Sequence, residues 1–178
     1  MSRDHELMEA VADGDLRAFG ELVRRHEQTA WRCAYRMLGD EAEAEDAAQE
    51  VFLKVLEAAD RYQPTASFRT YLYRIIKNHC LDRLAKNAPV YTEDVPTIPT
   101  RATSPGQLLE RRQTQEEVEE ALEQLPGRQR LAVVLFHFEG LSYSEIADAM
   151  ETTPKAVERL LARGRKALER DLGALVEQ

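Results

Sequence analysis

Two short stretches concentrate positive charge on a chain whose net charge is −8. Residues 61–86 carry Arg61, Arg69, Arg74, Lys77, Arg83 and Lys86 against the single acid Asp82. Residues 155–170 carry Lys155, Arg159, Arg163, Arg165, Lys166 and Arg170 against Glu158 and Glu169. The chemistry open to such clusters is recognition of phosphates and base edges, because their cations displace the counterions of nucleic acid. A third group is acidic. Asp46, Gln49, Glu50 and Glu57 surround Leu53 at helical spacing, and a leucine ringed by acids and an amide has the form of a small protein-docking surface. The pattern fits two nucleic-acid contacts on an acidic body that meets a protein partner elsewhere.

Other chemistries find no support. Cys33 and Cys80 form no metal-ligand pattern and read as reduced thiols of a cytoplasmic protein. No phosphate-binding loop, nucleophile motif or His/Cys/Asp/Glu cluster is present, so no catalysis, metal, cofactor or small-molecule substrate is expected. No apolar run is long enough to span a membrane. Met1–Glu9 is polar and acidic, unlike a signal peptide.

The elements that must position these residues read as helices throughout. A short helix is predicted over Asp4–Ala12. A long one is capped by Asp15 and closed by Gly39. Asp40 opens a third, running to about Ala59, with Glu43 completing a capping-box-like pair. After a loop at Asp60–Ala66, Ser67 caps a basic helix that reaches Asn87. Ala88–Ser104 holds Pro89, Pro96 and Pro99 with few helix formers, and reads as an extended linker. Ser104-Pro105 starts the next helix, which Pro126-Gly127 stops near Leu125. Helices over Arg128–Phe138, Ser142–Met150 and Pro154–Leu175 complete an all-α chain of two helical domains.

Helical wheels assign the faces. In the acidic helix Ala44, Ala48, Val51, Phe52 and Val55 point inward, while Asp46, Gln49, Glu50, Leu53 and Glu57 point out. In the basic helix Phe68, Leu72, Ile75, Ile76 and His79 form the buried side, His79 as a packed core histidine. Thr70, Arg74, Lys77, Asn78 and Leu81 face away. Cations interleaved with aromatics and amides, with Arg61, Tyr62 and Ser67 in the preceding loop, suit single-stranded DNA and an unstacked base. Tyr71 and Tyr73 could stack on bases or fill the core, the core being favoured for Tyr71. Ser142 and Glu145 form a capping box, Ala147 allows a close crossing, and Glu151-Thr152-Thr153 turns into a second helix at Pro154. That is the helix-turn-helix pattern. Its second helix buries Val157, Leu160, Leu161, Gly164 and Leu168. Lys155 and Arg159 are then free for guanine edges, Glu158 for cytosine, and Arg163 and Lys166 for phosphates.

Together these residues resemble the sigma-70 family, and within it the small extracytoplasmic-function sigma factors. Gly14-Asp15-Leu16-Arg17-Ala18-Phe19 resembles the family's opening. Ala44 to Phe52 resembles its polymerase-binding signature. Tyr71 to Asp82 resembles the helix that melts and reads the promoter −10 element. Leu125-Pro126, Arg130 and Gly140 to Ala147 resemble the domain that reads the −35 element.

The resemblance implies a sigma region 2 bundle over 1–87, a linker over 88–104 and a region 4 helix-turn-helix domain over 105–178. It implies that Asp46, Gln49, Glu50 and Leu53 engage core RNA polymerase. Arg61, Tyr62, Ser67, Arg74, Lys77, Asn78 and Asp82 are implied to meet the −10 strand, and Lys155, Glu158, Arg159, Arg163 and Lys166 the −35 duplex of promoter DNA. An anti-sigma factor, often membrane-anchored, is an implied partner, and Glu93 and Asp94 of the linker are placed near the polymerase RNA channel. The chain departs from the family where Tyr71 replaces a frequent Trp, where Ala85 replaces a usual basic residue, and where the recognition helix begins Pro154-Lys155-Ala156-Val157-Glu158-Arg159. The competing reading is a stand-alone helix-turn-helix regulator with a sensing N-domain, which needs no polymerase face. The free chain is expected to bind duplex weakly, and its domains to reorient across the linker so that an inhibitor can pack them together.

Overall fold

The computed structural model describes residues 1–87 and 107–176, with side chains described over 1–87 and 114–173. The elements it describes are all helical. The N-terminal unit comprises α1 (Arg3–Ala12), α2 (Leu16–Leu38), α3 (Glu41–Glu57) and α4 (Phe68–Asn87), with a 3-10 turn at Ala59–Arg61. The C-terminal unit comprises α5 (Gln107–Glu123), α6 (Gly127–Val133), α7 (Tyr143–Met150) and α8 (Pro154–Val176). The expected linker over 88–104, with Glu93 and Asp94, lies outside the described residues, as does the Ser104-Pro105 start.

Side-chain caps set the helix boundaries. Asp15 accepts from the backbone N–H groups of Arg17 and Ala18 at 2.8 and 3.2 Å. Gly39 ends α2 at φ +73°, where its N–H reaches the Tyr35 carbonyl at 2.8 Å; a left-handed terminus of this kind favours glycine. Asp40 caps α3 through the Glu43 N–H at 2.8 Å. The expected reciprocal bond is replaced, because the Glu43 carboxylate turns to Arg83 at 3.7 Å and Asn87 at 3.4 Å.

The N-terminal core joins Met8 of α1, Leu22, Cys33 and Met37 of α2, Ala44, Val51 and Val55 of α3, and Leu72, Ile76 and Cys80 of α4. Full burial of each large apolar side chain contributes about 2 kcal/mol. Burial also pushes the Cys80 thiol up to about 12 and the Cys33 thiol well above its usual range. Neither ionises near neutrality, which makes them inert.

Two elements differ from expectation. In α4, Thr70 and Lys77 are buried and Arg74 and Leu81 half-buried, although their side was expected to face solvent. The cause is the C-terminal unit, whose α7 and α6 both pack against α4, Gly127 of α6 beside Leu81; a helix covered on two sides has no single apolar stripe for a wheel to find. The helix expected over 128–138 also divides. It is α-helical to Val133 and π-helical over Val134–Phe138, and the Glu139 N–H bonds the Val134 carbonyl at 3.1 Å. That wider turn brings the buried Glu139 against the N-terminal unit.

One apolar core runs through both units. Arg130 of α6 donates to the Met37 carbonyl at the end of α2, and Tyr35 of α2 donates to Glu119 of α5 at 3.2 Å. Gly127 comes so close to α4 that a Cβ there would stand 2.9 Å from Leu81. These contacts pack the two units together.

Candidate nucleic-acid interface

The C-terminal site is a helix-turn-helix. Ser142 accepts from the Glu145 N–H at 3.2 Å, and the Glu145 carboxylate accepts from the Ser142 N–H at 2.8 Å. Thr153 caps α8 through the Ala156 N–H at 3.1 Å. Val157, Leu161 and Gly164 of α8 are buried, so Lys155, Glu158, Arg159, Arg163 and Lys166 all face solvent. Arg165 lies to one side, donating to the Tyr143 hydroxyl at 3.1 Å. The outward face is cationic and free of the core, as a helix entering a major groove requires.

Bonds from Ser142, the backbone one foremost, hold the Glu145 carboxyl below its ordinary value of 4.5. A depressed carboxyl contributes stability that is complete above 4.5 and lost as pH falls through the folded value. Ser142→Ala is expected to cost about 1 kcal/mol near neutral pH in urea unfolding. The stability difference between wild type and Glu145→Gln should shrink as the solution is acidified; a gap that stays constant with pH contradicts the assignment.

The second basic cluster surrounds the start of α4. Arg61, Tyr62, Gln63, Thr65, Ala66, Tyr71 and Arg74 line a cavity of about 320 Å³. Tyr62 packs edge-on to Tyr71 with centroids 4.9 Å apart, and its buried hydroxyl has no hydrogen-bond partner. Burial raises its pKa to about 12, so it stays neutral. Arg61, Asn78 and Asp82 are exposed. Ser67 is engaged locally, capping α4 through the Thr70 N–H at 3.1 Å. His79 is half-buried and its Nε2 lacks a partner; burial lowers its pKa, which fits a packed core histidine. Arg74 donates to the Asp148 carbonyl at 3.1 Å, and Lys77 pairs with Glu151. These two cations therefore engage the C-terminal unit, Lys77 buried and Arg74 half-buried.

The third site is the outer face of α3. Asp46, Gln49, Glu50, Leu53 and Glu57 are all exposed, Leu53 at 49%. Leu53 borders a groove of about 620 Å³ between α2 and α3, lined also by Phe19, Val23, Trp31 and Phe52, with Glu27, Glu45 and Gln49 among its polar residues. An apolar groove with acids among its lining residues suits an amphipathic helix that carries cations.

Glu139 and Arg130 play structural parts that the sequence reading did not assign. Arg130 had entered only through a family motif. Glu139 had one local signal, an acid following the apolar run 131–136, and nothing along the chain tells that it is buried.

Residues 22–89 match Sigma-70 region 2, and residues 115–168 match Sigma-70, region 4. The RNA polymerase sigma-H factor of Pseudomonas aeruginosa is 32% identical, over 99% of this chain and 97% of its own length. The ECF RNA polymerase sigma factor SigE of Mycolicibacterium smegmatis is 35% identical over 88% of this chain, which spans 63% of that longer protein. Among solved structures, CnrH in complex with the cytosolic domain of CnrY superposes with a TM-score of 0.73 at 29% identity, covering 97% of this chain and 99% of that one. The sigma factor RpoE of Bartonella quintana, solved with the anti-sigma factor NepR, gives a TM-score of 0.65 at 20% identity, covering 87% and 96%, a likeness of fold. The chain belongs to the sigma-70 family, as an RNA polymerase sigma factor of the extracytoplasmic-function type. The region 2 match begins in α2 and runs through α4, and the region 4 match lies within α5–α8. No described helix is long and apolar enough to cross a membrane.

Proposed function

We propose that the chain acts in the cytoplasm as a non-catalytic initiation factor that brings core RNA polymerase to promoters through three separate surfaces. The outer face of α3, with Asp46, Gln49, Glu50 and Leu53, grips the polymerase. The Arg61–Ser67 loop and α4, through Arg61, Tyr62, Ser67, Arg74, Lys77, Asn78 and Asp82, hold the opened −10 strand. The cavity beside Tyr62 and Tyr71 takes one flipped base against the wall these two rings form. Lys155, Glu158, Arg159, Arg163 and Lys166 of α8 read the −35 duplex. Residues 1–87 and 105–178 form the two working domains, with 88–104 as the linker between them.

The observation that carries this reading is Leu53, half-exposed among acids and beside an apolar groove. A regulator acting alone on duplex DNA has no need of that surface. The same groove suits the helix of an inhibitory protein. RpoE was solved with the anti-sigma factor NepR and CnrH with the cytosolic domain of CnrY, and an anti-sigma factor is proposed for this chain by analogy.

Gln49→Ala/Leu53→Ala is expected to weaken association with core polymerase by about tenfold, the worth of a modest interface hot spot. Run-off transcription on a pool of genomic fragments should fall in parallel, with the circular dichroism unchanged. Undiminished polymerase binding by the double variant would remove the basis of the proposal.

A further inference from the structure

The loop at residues 61–67 is braced from behind by α1, a helix that precedes residue 22, where the region 2 match begins. α1 packs on α2 and on the 3-10 turn at Ala59–Arg61. Its Leu7, Met8 and Val11 are buried in the core. Asp4 ties it to α2, accepting from Arg25 Nε at 2.8 Å and pairing with His26 Nε2 at 3.0 Å. The helix is therefore held in place by groups other than His5, which is left to meet the loop.

Residues 62–66 bond little among themselves. The Tyr62 N–H reaches the Ala59 carbonyl at 3.2 Å, and the Thr65 N–H the Gln63 carbonyl at 2.8 Å. Their bond to a distant element comes from His5, whose Nε2 lies 3.2 Å from the Ala66 carbonyl oxygen. A carbonyl only accepts, so Nε2 carries the proton and donates. The same ring stands 5.9 Å from the Tyr62 ring, which in turn packs against Tyr71 of α4. Tyr62 and Ala66 both line the cavity of about 320 Å³. His5 instead lines a smaller one of about 120 Å³ behind Tyr62, with Met8, Glu9 and Pro64. It thus touches two walls of the larger cavity from outside.

We propose that His5 is a positioning residue for base recognition. It holds the Ala66 carbonyl and backs the Tyr62 ring, and so fixes the shape of the cavity without touching the base. A loop with few bonds of its own must otherwise be ordered when the strand binds, and fixing it beforehand removes that cost. His5 therefore acts on selection of the base. Attraction of the strand's phosphates belongs to the cations and does not depend on it. This inference rests on the reading of residues 61–67 as the loop that takes a flipped base.

The test uses holoenzyme reconstituted from core polymerase and the full chain, mixed with a pool of short random-sequence single strands. Bound strands are sequenced, and wild type should enrich one base at one position of the aligned strands. In His5→Ala that enrichment should fall about fivefold, the worth of one hydrogen bond, while the total amount of strand bound stays the same. His5→Gln places an amide donor near the position of Nε2 and should recover most of the loss. His5→Phe keeps a ring without the donor and should recover less. Undiminished enrichment by His5→Ala overturns the inference. If His5→Ala loses helix content by circular dichroism, the other two variants decide, and equal enrichment by His5→Phe and His5→Gln overturns it. Wild-type holoenzyme that binds strands but enriches no base refutes the flipped-base reading itself, and this inference with it.

Discussion

Replacing Arg130 with Met is expected to lower the midpoint of thermal unfolding by about 10 °C, from a loss of about 3 kcal/mol. The reason lies in helix ends. The last turn of a helix leaves carbonyls without intrahelical partners, and a cation there also meets the negative end of the helix dipole. Arg130 serves two such ends. It donates to the Met37 carbonyl in the last turn of α2, and to the Glu123 and Leu125 carbonyls around the end of α5 at 2.5 and 3.3 Å. The side chain is buried, so water cannot replace those bonds. Methionine fills similar volume but donates nothing, leaving three carbonyls without this partner. Arg130→Lys keeps one donor group and should recover about half of the loss. A methionine variant melting within about 2 °C of wild type, as scanning calorimetry would reveal, contradicts this account.

Arg130 also marks how far a one-dimensional reading reaches. Caps are local, so Asp15, Gly39, Ser67 and Ser142 were legible, and the structure uses each of them. Helices that bury one face were legible too: α3 and α8 expose the residues their wheels put outside. The resemblance to sigma-70 regions 2 and 4 rested on these local patterns and is met by both matches. What the wheels missed depends on the second unit. α4 is covered by its own bundle and by α7, so Lys77 is buried although its angular position placed it outside. Tyr73, left between stacking and core, is fully buried, and its hydroxyl is committed to Glu139, 66 residues away. Burial and this hydrogen bond push the Tyr73 pKa well above the usual tyrosine range. Asp40 and Glu43 show the same limit on a smaller scale. The sequence spacing fits a capping box, yet Arg83 and Asn87 of α4 draw the glutamate away.

The second large effect is expected at Gly164, in the middle of α8. Glycine inside a helix is worse than alanine by about 1 kcal/mol, so a bland Gly→Ala exchange would stabilise. Here the sign reverses, because a Cβ at position 164 would stand 2.8 Å from Val133 Cγ2, on the stiff side chain of a buried residue in α6. Valine has little rotamer freedom with which to yield, so α8 must shift away from α6. Gly164→Leu, which adds four carbons to that contact, should destabilise by about 3 kcal/mol in urea unfolding. Gly164→Ala should destabilise less. Val133→Ala opens the space, so a double-mutant cycle should show the two substitutions interacting favourably, with Val133→Ala/Gly164→Ala more stable than the sum of the single effects predicts. Simple additivity would mean that the close contact is not what keeps glycine here. A displaced α8 also carries Lys155, Glu158, Arg159 and Arg163 with it. Holoenzyme containing Gly164→Leu should therefore lose −35-dependent transcription while still binding core polymerase, since the α3 face lies in the other unit. Run-off transcription beside a polymerase co-elution assay separates the two effects, and loss of both together would place the damage in global unfolding.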